Sequence, residues 1–152
     1  MYPGYEQYWG AILANPQGVL PGTGKVASAG EIAYARFAAS TPHVILSQTL
    51  DTVAWKHTRI VREVAEIRCL KQQPGKDMYA VGGATLIGSL MTQHLIDELR
   101  LVVYPIVLGG GKALFQDVKE RQALQLLGTQ RLASGAVRLH YRTSPALWRP
   151  LT

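Results

Sequence analysis

Cysteine is almost missing from this chain: Cys69 is the only one among 152 residues. A single thiol excludes an internal disulfide and a cysteine-rich zinc cluster. Neither a C-x-x-C pair nor an H-x-E element occurs, which excludes zinc-dependent nucleobase deamination. The four histidines, His43, His57, His94 and His140, share no spacing that suggests a metal or catalysis. No metal site is expected, and no Ser/His/Asp or paired-carboxylate set emerges, so the catalytic residues stay unassigned. Long apolar runs are also missing, none reaching the roughly 18–20 residues of a membrane span. The first residues carry no basic-then-apolar leader. A membrane is therefore not an expected partner, and the cytoplasm is the expected compartment. Acidic residues are few, 10 against 16 basic ones, for a net charge of +6. The basic residues are scattered, with no Lys/Arg run longer than two, so nucleic acid is not an expected partner either. A solvated basic surface that attracts a polyanionic cofactor or a sugar phosphate fits the pattern better.

What is present is an ordinary globular balance, 47% hydrophobic and 17% charged, without repeats or low-complexity tracts. The length suits one domain over residues 1–152, with residues 143–152 as a tail. The most informative stretch is Met78-Tyr-Ala-Val-Gly-Gly-Ala-Thr-Leu-Ile-Gly88. It predicts a short buried strand running through two adjacent glycines into a helix. Leu86, Ile87, Leu90, Met91 and Leu95 recur as one helix face. Gly82 and Gly83 then sit at a helix N-terminus, where free N–H groups and the positive end of the dipole attract an anion. The glycines are adjacent, unlike a G-x-G-x-x-G fingerprint, and Ser89 and Leu90 replace the Lys and Ser/Thr of a P-loop. A tight turn whose glycines serve packing alone explains the same spacing. A strand at residues 98–105 would complete a right-handed β-α-β unit.

Elsewhere the pattern predicts a helix over residues 2–14, entered through Pro3-Gly4, and a Gly/Pro-rich loop over 15–30. That loop reads as a surface connection or as an active-site flap. A helix over 31–39 stops before Thr41-Pro42. Residues 43–47 form a strand, apolar enough for burial on both faces. A loop with Asp51 and Trp55 precedes a helix over 60–71. At the end, residues 123–130 and the alternating Val137, Leu139 and Tyr141 make an antiparallel hairpin turning at Ala133-Ser-Gly-Ala136.

The order Val81-Gly-Gly-Ala-Thr-Leu86, then Leu95-Ile-Asp-Glu-Leu-Arg-Leu101, then Leu108-Gly-Gly-Gly-Lys112 resembles the dihydrofolate-reductase-like family. Gln73-Pro-Gly-Lys-Asp77 and Val44-Ile-Leu-Ser-Gln-Thr-Leu50 narrow the likeness to one branch. That branch includes the C-terminal reductase domain of the bifunctional riboflavin-biosynthesis deaminase-reductase. The resemblance covers residues 42–142. It implies an α/β three-layer fold: a mixed, mostly parallel sheet flanked by helices and closed by a C-terminal antiparallel hairpin. The implied activity is hydride transfer from NADPH, with NADH possible, to a C=N or C=O bond. The implied substrate is a small molecule, pterin-like or a ribosylaminopyrimidine, as in a 5-amino-6-(5-phosphoribosylamino)uracil reductase. Members of the branch are commonly homodimers.

By the same resemblance, Ser47, Gln48 and Thr49 would touch the adenosine ribose phosphate. Val81, Gly82, Gly83, Ala84, Thr85 and Leu86 would hold the pyrophosphate, and Gly109, Gly110, Gly111 and Lys112 would face substrate. Local roles compete at several of these. Ser47 and Thr49 hydroxyls satisfy nearby backbone, Thr85 caps its helix, and the glycine run is turn chemistry. Two departures stand out. The family begins with a central strand, a helix and a second strand ending in a Gly-Arg-Arg-Thr-Tyr-like turn, and nothing of that kind precedes Met1. The chain is therefore expected to lack the family's N-terminal strand and helix, as a truncated product, through a misplaced start, or because another chain fills the gap. This favours a second reading, a non-catalytic nucleotide-binding or dimerisation module. Gln48 also stands where the branch usually has an Arg that clamps the adenosine 2′-phosphate. Gln cannot supply that charge, so weak discrimination between NADPH and NADH is expected.

Overall fold

The computed structural model describes residues 2–20 and 22–144. They divide into two compact units, Met1–Lys71 and Gln72–Thr152, each described here by itself.

In the first unit, helix α1 spans Tyr2–Ala14 and α2 spans Ala29–Ser40. Pro3 falls in the first turn of α1, where its missing N–H removes no helical bond. Ile12 is fully buried and forms a small core with Leu20, Ala27 and Ala35, ringed by Tyr8, Trp9, Leu13 and Ile32. The Gly/Pro-rich loop is thus not wholly superficial, since Leu20 and Ala27 turn inward from it. Helix α2 starts two residues earlier than the apolar pattern suggests because Ser28 caps it. Ser28 Oγ accepts from the Glu31 N–H at 3.2 Å, and the Glu31 carboxylate accepts from the Ser28 N–H at 2.8 Å. Tyr8 of α1 donates to the same carboxylate at 3.0 Å and ties the two helices together.

Strands β1 (His43–Leu46) and β2 (Thr58–Val61) pair in parallel, with Ile45 opposite Ile60 and Leu46 opposite Val61. Ile45 and Val61 are buried, whereas Val44 is exposed, so β1 covers a core on one face and not on two. The expected helix over 60–71 is corrected: residues 58–61 are a strand, and helix α3 runs only over Val64–Lys71. Three β-branched residues, Thr58, Ile60 and Val61, favour a pleated partner of β1 over a helix.

In the second unit, helix α4 spans Ala84–Thr92. Beyond its last turn His94 takes a left-handed φ of 52°. The Leu95 N–H reaches the Leu90 carbonyl and the His94 N–H the Met91 carbonyl, each at 2.9 Å. These are the two bonds of a Schellman stop, and its apolar partners Leu90 and Leu95 are both buried. Strands β3 (Glu98–Val103), β4 (Ala123–Arg131) and β5 (Val137–Ser144) form an antiparallel sheet in the order β3-β5-β4. Gly135, at φ 83°, makes the β4–β5 turn, and the register slips at Leu126/Gly128. The hairpin is as expected, though β5 continues through two residues expected in the tail; residues 145–152 lie outside the described residues.

The α/β class holds, but the described residues do not form one mostly parallel sheet. They form a two-stranded parallel sheet and a three-stranded antiparallel one. Residues 78–81, expected as a buried strand, pair with nothing described and stand exposed, Tyr79 at 70% and Val81 at 64%. A strand is stable only where a neighbour accepts its N–H and C=O groups. β3 gives its ladder to β5 alone, so no β-α-β pairing closes around α4. No described helix is long and apolar enough to cross a membrane.

Candidate functional site

Two places carry the expected residues, one in each unit. In the first unit the loop after β1 is held from within. Ser47 Oγ accepts from the Leu50 N–H at 3.1 Å and the Thr49 N–H at 3.4 Å, the local role open to a hydroxyl at a strand end. Gln48 is exposed, and its amide Nε2 donates to the Arg62 carbonyl. Arg62 answers in the other direction: its Nη1 donates to the Ser47 carbonyl at 2.6 Å and to the Leu50 carbonyl at 2.8 Å. Its Nη2 lies 3.5 Å from the Asp51 carboxylate. The residue just past β2 therefore fastens the loop that carries Ser47, Gln48 and Thr49. The sequence pattern missed Arg62 because its segment read as the first turn of a helix over 60–71; a strand over 58–61 puts it at the strand end beside that loop.

A second cluster in this unit is aromatic. Tyr2, Tyr5 and Trp55 surround the His43 ring at centroid distances of 5.1–5.8 Å. Burial lowers the His43 pKa, and Nδ1 shares a hydrogen bond with the Tyr2 hydroxyl at 2.5 Å. Burial likewise raises the Tyr5 phenol. The Glu6 carboxylate accepts from the N–H groups of Ala54 at 3.2 Å and Trp55 at 3.0 Å, fixing the loop that brings Trp55 in. These groups are satisfied by one another and read as structure.

In the second unit, Gly83 is the N-cap of α4, at φ −82° and ψ −179°, with no side-chain cap. The first-turn N–H groups, those of Ala84, Thr85 and Leu86, precede the first i→i−4 bond, which runs from Ile87 to the Gly83 carbonyl at 3.2 Å. Thr85 is exposed in that turn and does not cap, since the capping position is two residues earlier. Gly82 serves packing: a Cβ there would stand 2.6 Å from Leu86 Cδ2. An uncapped, partly exposed first turn fits a phosphate, whose oxygens accept from such N–H groups. Val81 is exposed beside it.

Gly109 and Gly111 have φ of 71° and 151°, values that L side chains rarely adopt. Gly109–Lys112 is an exposed turn with open space around each glycine. Glu98, exposed at the start of β3, anchors the β3–β5 face. Its carboxylate meets His140 at 2.8 Å, Arg142 at 3.3 Å and Arg100 at 3.8 Å. His140 and Arg142 hold its pKa below the usual carboxylate range. The spacing Arg138-x-His140-x-Arg142 on an alternating strand was the available signal, since it puts three basic groups on one face. Among the described residues no group of three or more His, Cys, Asp or Glu is placed to hold a metal.

A solved structure of a protein assigned to riboflavin biosynthesis in Shewanella sp. PV-4 matches with a TM-score of 0.60 at 24% identity. The match covers 69% of this chain and 62% of that one. It shows the fold, the dihydrofolate-reductase-like α/β arrangement. The uncharacterized Bacillus subtilis protein YyaP is 46% identical over 76 residues, 50% of this chain and 40% of YyaP. The uncharacterized YwjB of the same organism is 40% identical over 93 residues, 60% of this chain and 53% of YwjB. The chain thus spans about half the length of the curated relatives it matches. The family model described as the RibD C-terminal domain matches residues 6–138, which takes in both loops described above and strands β1 to β4 together with the start of β5. The chain belongs to the RibD C-terminal domain family.

Proposed function

We propose that this chain is a reductase that uses a nicotinamide dinucleotide to reduce a C=N or C=O bond of a pterin-like or ribosylaminopyrimidine substrate. Within the riboflavin-type chemistry of its family, the specific reaction is reduction of a ribosylamino to a ribitylamino group. The observation that carries the reading is the family match over residues 6–138 together with an uncapped first turn at Gly83-Ala84-Thr85. When bound, the reduced nicotinamide would supply the hydride. The chain's own residues would bind and orient. The first-turn N–H groups of α4 would donate to a phosphate without any capping side chain in competition. Gly109–Lys112 would face the substrate, the flexible glycines permitting close backbone approach and Lys112 adding a positive charge.

A second reading, a non-catalytic nucleotide-binding or dimerisation module, is favoured by the unpaired segment 78–81 and the free edge of β3. Titration of the purified protein with NADPH and with NADH, followed by nicotinamide fluorescence, tests the first reading. Saturable binding followed by oxidation of the reduced cofactor with a ribosylaminopyrimidine supports it. Binding without turnover leaves the module, and absence of binding removes the dinucleotide altogether.

A further inference from the structure

The charged face of the antiparallel sheet holds a cleft that the reductase reading leaves unused. The register sets Gly128, His140 and Arg100 in one row across β4, β5 and β3, and Gln130 and Arg138 in the next. Both rows share a face, because residues two apart on a strand point the same way. A cleft of about 330 Å³ opens there, lined by Arg100, Gly128, Thr129, Gln130, Arg138 and His140. Small-molecule sites occupy about 300–1,000 Å³, so this one suits a compact ligand. Gly128 makes the room. The register slip at Leu126/Gly128 brings a residue without a side chain opposite His140, and a Cβ at Gly128 would meet nothing within 4 Å.

The charge around the cleft is unbalanced, since none of its lining residues is acidic. Glu98, at the end of the same face, is engaged by His140 at 2.8 Å and Arg142 at 3.3 Å. Arg100 reaches that carboxylate only at 3.8 Å and lies over the Tyr79 ring, 6.0 Å from its centroid. Arg138 has a neutral partner: its Nη1 donates to Gln130 Oε1 at 3.1 Å, which leaves the Gln130 amide nitrogen to donate elsewhere. Arg100 and Arg138 are diagonal neighbours on paired strands, about 7–8 Å apart at the backbone. Two guanidinia at that spacing repel each other until an anion joins them, and their planar forks match phosphate oxygens.

We propose that this cleft binds the phosphate group of a phosphorylated small molecule, at a site that shares no residue with the first turn of α4. Arg100 and Arg138 hold the phosphate oxygens from two strands, Gln130 donates a further hydrogen bond, and Gly128 leaves space for the rest of the ligand. The inference stands independently of the nicotinamide reading.

Calorimetric titration of the full chain with glycerol 3-phosphate, inorganic phosphate and glycerol, at fixed ionic strength, is the test. Both phosphates should bind saturably and glycerol should not. Arg138→Met and Arg100→Met should each weaken both phosphates about tenfold, the range of a charge-assisted contact. Gly128→Leu, whose side chain has open space to enter, should block glycerol 3-phosphate with the unfolding temperature retained. Gly83→Asp, which fills the first turn of α4, should leave binding in the cleft intact. Loss of phosphate binding in Gly83→Asp but not in the arginine variants would assign the anion to the helix and overturn the proposal. So would uptake that never saturates, the mark of an unfocused basic surface, or wild-type affinity in both Arg138→Met and Gly128→Leu. If neither phosphate binds while Gly128→Leu changes the sedimenting species, the face is a contact between copies of the chain and the cleft is no ligand site.

Discussion

Gly83 occupies the capping position of α4 with a backbone conformation that any residue adopts, yet it brings no side chain to the first turn. The three N–H groups beyond it are consequently offered to solvent or to a ligand, and this offers a way to separate folding from binding. Gly83→Asp would place a carboxylate on those donors and opposite the dipole, worth about 0.5–1 kcal/mol to the helix. It should raise the unfolding temperature while weakening nicotinamide-dinucleotide binding on the order of tenfold, since the carboxylate both fills the donors and repels phosphate. Calorimetry and fluorescence titration on one sample check both directions; unchanged affinity in a stabilised variant removes the helix N-terminus from the site. His94 is the opposite case, a residue whose side chain works against its backbone. Its φ of 52° is the left-handed position of the Schellman stop, where a Cβ crowds the following carbonyl. His94→Gly should stabilise the protein by about 0.5–1 kcal/mol by urea titration, the relief of that crowding exceeding the entropy that Gly adds to the unfolded chain.

At the scale of elements, local rules are enough for some segments and silent for others. Helix α2 is closed by its own sequence, Ser28 and Glu31 satisfying each other's backbone N–H groups. Ser28→Ala should cost about 1 kcal/mol. Glu31 is held below the usual carboxylate range, first by the Ser28 hydroxyl and then by the Ser28 N–H. A depressed carboxylate contributes stability that is complete above its unfolded value and lost as pH falls through its folded one. Ser28→Ala should therefore flatten the acid limb of the stability profile below about pH 4.5, and urea midpoints across pH 2–7 measure it. The β4–β5 hairpin was legible for a similar reason: alternation and Gly135 are both local, and so was the α4 helix with its two leading glycines. Strand β2 was not, because Thr58-Arg-Ile-Val61 is too short for periodicity to decide and is fixed only by pairing with β1. With β2 unread, Arg62 was misplaced and its hold on the Ser47–Leu50 loop invisible. Residues 78–81 fail in the reverse sense. Their unbroken apolar run is that of a short buried strand, but local pattern cannot supply the neighbour a strand needs.

For the whole molecule, that missing neighbour sets the last expectation. β3 lies at the edge of β3-β5-β4, so among the described residues no strand pairs with one side of its backbone. The same edge is apolar and open, with Val103 53% exposed, and Val107 in the loop beyond it is 95% exposed. Soluble proteins usually guard such edges with charge, proline or a bulge. Here the guard is Glu98 and Arg100 at one end, while Leu101, Val102 and Val103 bear none. An apolar edge of this kind recruits another strand, and in solution the available one is on a second copy of the chain. Homodimers are also what the resemblance to the riboflavin-pathway branch implies. The protein is therefore expected to be a dimer or larger assembly at micromolar concentration, by sedimentation or light scattering. Val103→Lys sets a charge on the edge at a position already half exposed, so it should shift the population toward monomer with little loss of unfolding temperature per chain. A wild type that sediments as a monomer and unfolds in one sharp transition would mean that the edge is closed within a single chain. A Val103→Lys variant that still dimerises would move the contact to another surface, the β4 edge of the same sheet being the next to test.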